Sequence, residues 1–303
     1  MVLLGHSITL MANPVNKFIL SFHMPLFFFI SGMTFGSNYS IKKMIRKQIA
    51  LATPIITAAI LSFITEIFCD VLLLNEKNIS EVSLLNKLDN WFLITLMLSE
   101  LVVFTSEFFK SKLFIYLFKV FLVAIFFALN CGEIPYLKYV EKTCCAVIFM
   151  MLGKEIGMPS IELIKERTYK WFINPIVLCF FSVAFLSNVN IPIGMVNNTY
   201  GNKIIFLITA IVGIYMILLL SNYLCGSRFL EFCGKNSLYI FITHFQIEKI
   251  IITVWRMKAL PTYYEYPYYL IVFAGLVCID LPVVYWLAKY MPFLFGKFKN
   301  SKF

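Results

Sequence analysis

Long apolar segments recur from one end of the chain to the other, and short polar connections separate them. They fall near residues 1–11, 18–36, 48–74, 91–109, 113–130, 138–153, 171–187, 204–224, 237–255 and 267–288. Most are close to the roughly 20 residues that a helix needs to cross a bilayer. A helix also satisfies its own backbone hydrogen bonds in lipid. The pattern therefore predicts an all-α, polytopic membrane protein of about ten transmembrane helices, folded as a single domain over residues 1–303.

Composition supports this class and removes others. Apolar residues make up 60% of the 303 positions and charged residues 14%, whereas soluble domains carry roughly 25% charged residues. The net charge of +10 does not indicate nucleic acid, because the basic residues cluster between apolar segments, where membrane-orientation signals lie. The eight cysteines form no CxxC pair and only three histidines accompany them, so no metal site is expected. The partner that these features predict is the lipid bilayer.

The distribution of lysine and arginine predicts the orientation. With a cytoplasmic N-terminus, the inner connections and the C-terminal tail hold sixteen of these residues and the outer connections hold seven, a bias that the positive-inside rule favours. We therefore expect a multi-pass protein of the cell (cytoplasmic) membrane with both termini in the cytoplasm. Residues 1–11 supply only about 16 Å of helix against a hydrocarbon core of roughly 30 Å. The first helix is accordingly expected to be truncated, with about 10–20 residues missing before it.

Two histidines in the first two apolar segments are the strongest candidates for chemistry. His6 and His23 lie on the two arms of a predicted helical hairpin, at a similar depth in the outer half of the membrane. Ionisable residues in a membrane tend to face a protein interior or a wet cavity. Because the ordinary histidine pKa is about 6.5, either ring is able to act as a general base at neutral pH. The alternative is that both rings only hydrogen-bond neighbouring helices.

Several strings of residues resemble the acyltransferase-3 family of integral membrane acyltransferases. They are VLLGH at 2–6, FHMPLFFFISG at 22–32, WFL at 91–93 and GKNSLYIFITH at 234–244, with a basic stretch at 42–47. The second string is similar in wording to the branch described as fucose 4-O-acetylase-like. The resemblance implies transfer of an acyl group, commonly acetyl from acetyl-CoA, to sugar hydroxyls of surface polysaccharides or other extracytoplasmic acceptors.

The resemblance also implies roles for individual residues. His6 is the implied catalytic histidine, with His23 as a second residue of the catalytic site that shapes the pocket or binds donor or acceptor. An arginine usually precedes the family histidine by about ten residues, and only five residues precede His6 here. This difference agrees with a truncated first helix. No serine or cysteine is evidently paired with a base at this level, so direct transfer is favoured over an acyl-enzyme.

Binding of the two substrates is expected at separate groups of residues. The phosphates of acyl-CoA need cations at the inner face, and Lys43, Arg46 and Lys47 are the candidates, with arginine able to hold phosphate in two places. Plain positive-inside anchoring explains the same cluster equally well. Trp91, Asn236 and His244 are the candidates for acceptor binding. Trp91 also suits an aromatic belt at the membrane surface.

The predicted function is therefore a membrane-embedded O-acyltransferase that uses acyl-CoA, with no metal, to modify a hydroxyl of a cell-surface or lipid-linked glycan. A transporter or flippase of lipid-linked sugars is an alternative, although the chain lacks the internal repeats common in transporters. A catalytically inactive acyltransferase-like membrane protein is a third reading, which the short first helix favours.

Overall fold

The computed structural model describes residues 2–7, 13–36, 40–73, 87–109, 111–130, 137–167, 173–224, 226–257 and 266–297. Helices make up almost all of the regular structure in these ranges. The β-structure described there is one isolated antiparallel bridge between Gly194 and Thr199. The all-α prediction is confirmed for this part of the chain.

The helices follow the apolar segments closely. In chain order they are α1 (Val2–Ser7), α2 (Pro14–Leu20), α3 (His23–Met33), α4 (Ile41–Glu66), α5 (Trp91–Ser106), α6 (Lys112–Ala128), α7 (Lys138–Arg167), α8 (Ile173–Val189), α9 (Lys203–Tyr223), α10 (Arg228–Lys235), α11 (Ser237–Met257) and α12 (Tyr266–Tyr290). A π-helical segment, Ile67–Leu73, continues α4, and short 3₁₀ turns cover Met195–Asn197 and Pro292–Phe295.

Five stretches of the described chain are long and apolar enough to cross a membrane. They are Pro14–Met33, Ile41–Asp70, Lys203–Tyr223, Ser237–Trp255 and Tyr268–Tyr290, with shorter apolar helices at Trp91–Ser106 and Pro175–Val189. Large apolar side chains such as Phe121, Leu178 and Phe185 are more than half exposed, as lipid-facing positions are. These features are those of a membrane protein. The count of ten spans and the orientation of the termini stay predictions.

The chain divides into two compact units. Unit 1 contains Met1–Leu10, Ile45–Leu93 and Gly226–Phe303, and unit 2 contains Met11–Met44 and Ile94–Cys225. The prediction of a single domain over 1–303 is not tested by this division.

Unit 2 is built on a close contact between α3 and α7. Gly32 in α3 and Gly153 in α7 lie so near the facing helix that an added Cβ would collide with the carbonyls of Met150 and Phe29, respectively. Small residues allow apolar helices to approach at this distance and to gain dispersion contacts along their length. These two helices therefore hold His23, the first residue of α3, on a rigid element.

Unit 1 is built around Tyr239. Its ring is fully buried and stacks on Phe295 with the centroids 3.9 Å apart, and Thr57 Oγ1 donates to the Leu294 carbonyl at 2.6 Å. The turn at Pro292–Phe295 is thus fixed between α4 and α11. Helix α1 packs against α11 and α12, and Leu3 contacts the same apolar core.

Candidate functional site

His6 lies in the last turn of α1, within unit 1. The backbone of α1 is positioned by Leu3, which packs on the core formed by α4, α11 and α12. The side chain of His6 lies outside the described residues. Its catalytic role therefore stays a prediction.

His23 lies at a break within the candidate span Pro14–Met33. The chain turns at Ser21–Phe22 between α2 and α3. Pro25 has no N–H and cannot donate to the Ser21 carbonyl, so the helical ladder is interrupted at this point. His23 is 5% exposed, and its Nδ1 donates to the Ile19 carbonyl at 3.0 Å. The hydrogen bond fixes the ring and assigns the proton to Nδ1, which makes Nε2 the basic nitrogen.

In unit 1, a hydrogen bond between Thr243 and Asp280 joins α11 to α12. Thr243 Oγ1 lies 2.5 Å from Asp280 Oδ1 and 2.9 Å from the Tyr239 carbonyl. Asp280 is fully buried, and within the described residues its Oδ2 has no hydrogen-bond partner. The hydroxyl has only one proton to donate. It goes either to an ionised Asp280, or to Tyr239 while a protonated Asp280 donates to the hydroxyl.

His244 follows Thr243 and is fully buried. Its Nδ1 donates to the Ile240 carbonyl at 2.8 Å, and its ring packs against Phe245 with the centroids 4.0 Å apart. This arrangement repeats the bond of His23 to the carbonyl four residues earlier. The ring of His244 is therefore a fixed part of the helix packing in unit 1, and its predicted contact with an acceptor stays a prediction.

Asn236 and Trp91 lie at the starts of helices. Asn236 connects α10 to α11, is 9% exposed, and donates from Nδ2 to the Phe232 carbonyl at 2.9 Å. The same carbonyl also accepts from the backbone N–H of Asn236 at 3.1 Å, so the side chain adds a second hydrogen bond at the end of α10. Trp91 opens α5 and is partly buried against Phe92. Their predicted roles in acceptor binding stay predictions.

The basic cluster lies in the first two turns of α4. Lys43 and Arg46 are exposed and Lys47 is partly exposed, and Ser40 Oγ accepts from the Lys43 backbone N–H at 3.3 Å, which caps the helix. A helix N-terminus with three cations is electrostatically favourable for an anion. Binding of acyl-CoA here stays a prediction.

Two pairs of charged side chains form contacts that the sequence did not predict. In unit 1, Glu66 contacts Lys87 at 2.5 Å and Lys249 contacts Asp70 at 2.9 Å. Asp70 lies in the π-helical segment, and such segments occur frequently at functional sites. The signal for both groups was an ionisable residue inside an apolar segment, but the partner is distant in sequence.

In unit 2, Lys203 contacts Glu141 and the Phe126 carbonyl, and we call these buried contacts the clamp. The Nζ of Lys203 lies 2.7 Å from Glu141 Oε1, which is fully buried, and 2.6 Å from the Phe126 carbonyl near the end of α6. The neighbouring Lys142 donates to the Val196 carbonyl at 2.6 Å. Lys203 therefore joins α6, α7 and α9, and Lys142 joins α7 to the turn at Met195–Asn197.

Within the described residues, no group of three histidine, cysteine, aspartate or glutamate side chains is placed to hold a metal ion.

Comparison with known proteins gives one match. No curated protein and no solved structure matches the chain at a significant level. The model of the acyltransferase-3 family, described as an acyltransferase domain, matches residues 1–289. This span covers nearly all of the 303 residues and includes all three histidine-bearing helices, so the chain belongs to the acyltransferase-3 family.

Proposed function

We propose that the protein is an O-acyltransferase that moves an acyl group, acetyl in the first instance, from acyl-CoA to a hydroxyl of a cell-surface or lipid-linked glycan. Membership of the acyltransferase-3 family over residues 1–289 carries the proposal. The resemblance of residues 22–32 to fucose 4-O-acetylase-like proteins favours a deoxy-sugar acceptor.

The proposed reaction is direct transfer with His6 as the general base. The ring takes the proton of the acceptor hydroxyl while its oxygen attacks the thioester carbonyl carbon. An ester C–O bond forms, the C–S bond breaks, and the proton passes to the departing sulfur as the CoA thiol. The ring thereby returns to its neutral form.

His23 is proposed as the second histidine of the reaction. Its Nδ1 bond to Ile19 supports this role, because a ring held in one orientation keeps Nε2 basic and fixed in direction. Such a nitrogen accepts a hydrogen bond from a substrate hydroxyl or amide without an entropic cost for ordering the ring.

Donor and acceptor are proposed to bind at different residues. The exposure of Lys43 and Arg46 at the start of α4 supports contact with the phosphates of acyl-CoA. Among the acceptor candidates, Trp91 is proposed to stack on the sugar. Asn236 and His244 are proposed to hold the α10–α11 junction and α11 in place, since their polar groups bind the backbone.

The experiment that tests this function follows both products. Membranes that contain the protein receive radiolabelled acetyl-CoA and a panel of glycans, and label on the glycan and free CoA are measured together. We expect His6→Ala to lower the rate by about 100-fold or more, the usual contribution of a general base. Val120→Ala, at an exposed position of α6, is the control.

Each outcome separates the competing functions. Equal incorporation by the wild-type protein and His6→Ala would remove His6 from its role. Movement of a lipid-linked sugar without release of CoA would identify a transporter. If the folded wild-type protein formed neither labelled glycan nor free CoA, it would be an inactive relative.

A further inference from the structure

Two adjoining cavities lie in unit 2, where the end of α5, the start of α6 and the second half of α7 meet. The larger is a vestibule of about 400 Å³, and the smaller is a slot of about 130 Å³. Lys119, Met151 and Glu155 line both of them, so the two spaces adjoin at these three side chains. The vestibule has the size of an ordinary small-ligand site.

Charged pairs line the vestibule. Lys119 pairs with Glu155, and Lys154 pairs with Glu107. Their side chains are between 25% and 54% exposed, so all four remain accessible to a ligand. Among the described residues, the vestibule thus presents two ammonium and two carboxylate groups, whose charges balance.

The slot is apolar and lies further along the helices. Leu122 and Val123 line it from α6, and Ile148 and Leu152 line it from α7. On the outer surface of the same helix α6, Phe114, Leu117 and Phe121 are exposed, as expected for a face in contact with acyl chains. The combined space therefore has charges at one end, apolar walls at the other and lipid alongside.

We propose that this space binds a phospholipid with a zwitterionic, primary-amine headgroup, namely phosphatidylethanolamine. The phosphate accepts hydrogen bonds from Lys119 and Lys154, and the headgroup ammonium donates to Glu107 and Glu155. The upper part of one acyl chain enters the slot beside Val123. The lipid then exchanges two protein ion pairs for four charge-assisted hydrogen bonds.

Charge complementarity selects this occupant over others. Acyl-CoA and anionic lipids such as phosphatidylglycerol bring phosphate but no ammonium group, so they would take the lysine partners of Glu107 and Glu155 without replacing them. Phosphatidylcholine is zwitterionic, but its quaternary ammonium has no N–H to donate to a carboxylate. A quaternary ammonium is instead recognised by aromatic cages, whereas a single aromatic side chain, Phe109, is among the described residues that line the vestibule.

Native mass spectrometry of the purified full-length chain in detergent tests the proposal. Phosphatidylethanolamine, phosphatidylglycerol, phosphatidylcholine and soluble phosphoethanolamine are added separately, and the bound fraction is titrated. We expect phosphatidylethanolamine to bind about tenfold or more tightly than the other three. Lys119→Gln should remove this preference, because one phosphate contact and one ion pair are lost.

A blocking variant separates the slot from general lipid contact. Val123→Trp fills the slot, whereas Val120→Trp places the same ring on the exposed face of α6, where Val120 is 47% exposed. We expect only Val123→Trp to weaken phosphatidylethanolamine binding by about tenfold. Equal binding of all the lipids, tighter binding of phosphatidylglycerol, or equal effects of the two variants would overturn the proposal. Because the readout is lipid binding, it is independent of acyl transfer.

Discussion

Two buried acidic side chains, Glu141 in unit 2 and Asp280 in unit 1, differ in their hydrogen-bond partners. In unit 2, Glu141 has Lys203 at 2.7 Å, and the lysine also donates to a helix-terminal carbonyl. In unit 1, Asp280 is equally buried but receives one hydrogen bond, from Thr243, and its Oδ2 has no partner among the described residues. A charge that is fully compensated serves structure, whereas a costly charge left one-sided within a membrane span marks a functional position. We therefore expect the clamp to contribute to stability, and Asp280 is the candidate for a functional role that the variants below test.

The largest expected effect comes from opening the clamp. Lys203→Met removes the cation that contacts the buried Glu141 carboxylate at 2.7 Å and should destabilise the protein by about 3–5 kcal/mol. Thermal unfolding in detergent measures the loss. The double variant Lys203→Met with Glu141→Leu should recover most of it, because no unpaired charge remains. If the single and double variants unfold together, the clamp does not stabilise unit 2.

Features that depend on neighbouring residues could be predicted from the sequence, whereas contacts between distant residues could not. The apolar runs 204–224 and 237–255 correspond to helices Lys203–Tyr223 and Ser237–Met257, because an uninterrupted apolar run satisfies its backbone within itself in lipid. The run 18–36 was expected as one arm of a hairpin, but it contains the break before His23. Pro25, which removes the helical donor, was the local signal for that break.

Partners across the fold were not readable from one sequence. Glu141 and Lys203 are 62 positions apart, and Lys249 and Asp70 are 179 apart. An ionisable residue in an apolar segment indicates that a partner is needed but not which helix supplies it. The histidines were found as candidates for the same reason, but the sequence alone did not show that His23 and His244 bond to the backbone of the preceding turn.

The next prediction compares the same substitution in both units, the replacement of a buried carboxylate by its amide. Asp280→Asn keeps an oxygen that accepts from Thr243 and removes a buried charge, so the free energy of unfolding should stay within about 1 kcal/mol of the wild-type value. Acyl transfer should fall about tenfold or more if the carboxylate serves the reaction. Unfolding curves and initial rates measure the two quantities.

The matched change in unit 2 should give the opposite result. Glu141→Gln leaves the Lys203 ammonium without its anion, so stability should fall while the activity of the remaining folded protein is retained. A large loss of stability in Asp280→Asn with normal activity would place Asp280 among the structural charges instead.

A neutral contact between helices of unit 1 should have a smaller effect. Ser62 Oγ accepts from Gln246 Nε2 at 3.2 Å and joins α4 to α11. Ser62→Ala should cost about 0.5–1.5 kcal/mol, the net value of an ordinary hydrogen bond, as measured by thermal unfolding. Thr105→Ala, which removes a local bond to the Val102 carbonyl within α5, is the control and should cost less, since its loss separates no helices.

The smallest effect is expected where a charge pair lies in water. Glu231 and Lys235 form a pair one turn apart on α10, with side chains 61% and 71% exposed, and the hydrogen bond from Lys235 lowers the pKa of Glu231. A lowered pKa contributes stability above the ordinary carboxyl pKa, and this contribution is lost as the pH falls through the lowered value. Because solvent screens the pair, Lys235→Ala should leave the unfolding temperature unchanged between about pH 4 and pH 8. A loss of stability near neutral pH that disappeared on acidification would show that even this exposed pair supports the fold, and burial would then not be what separates the two classes of charge.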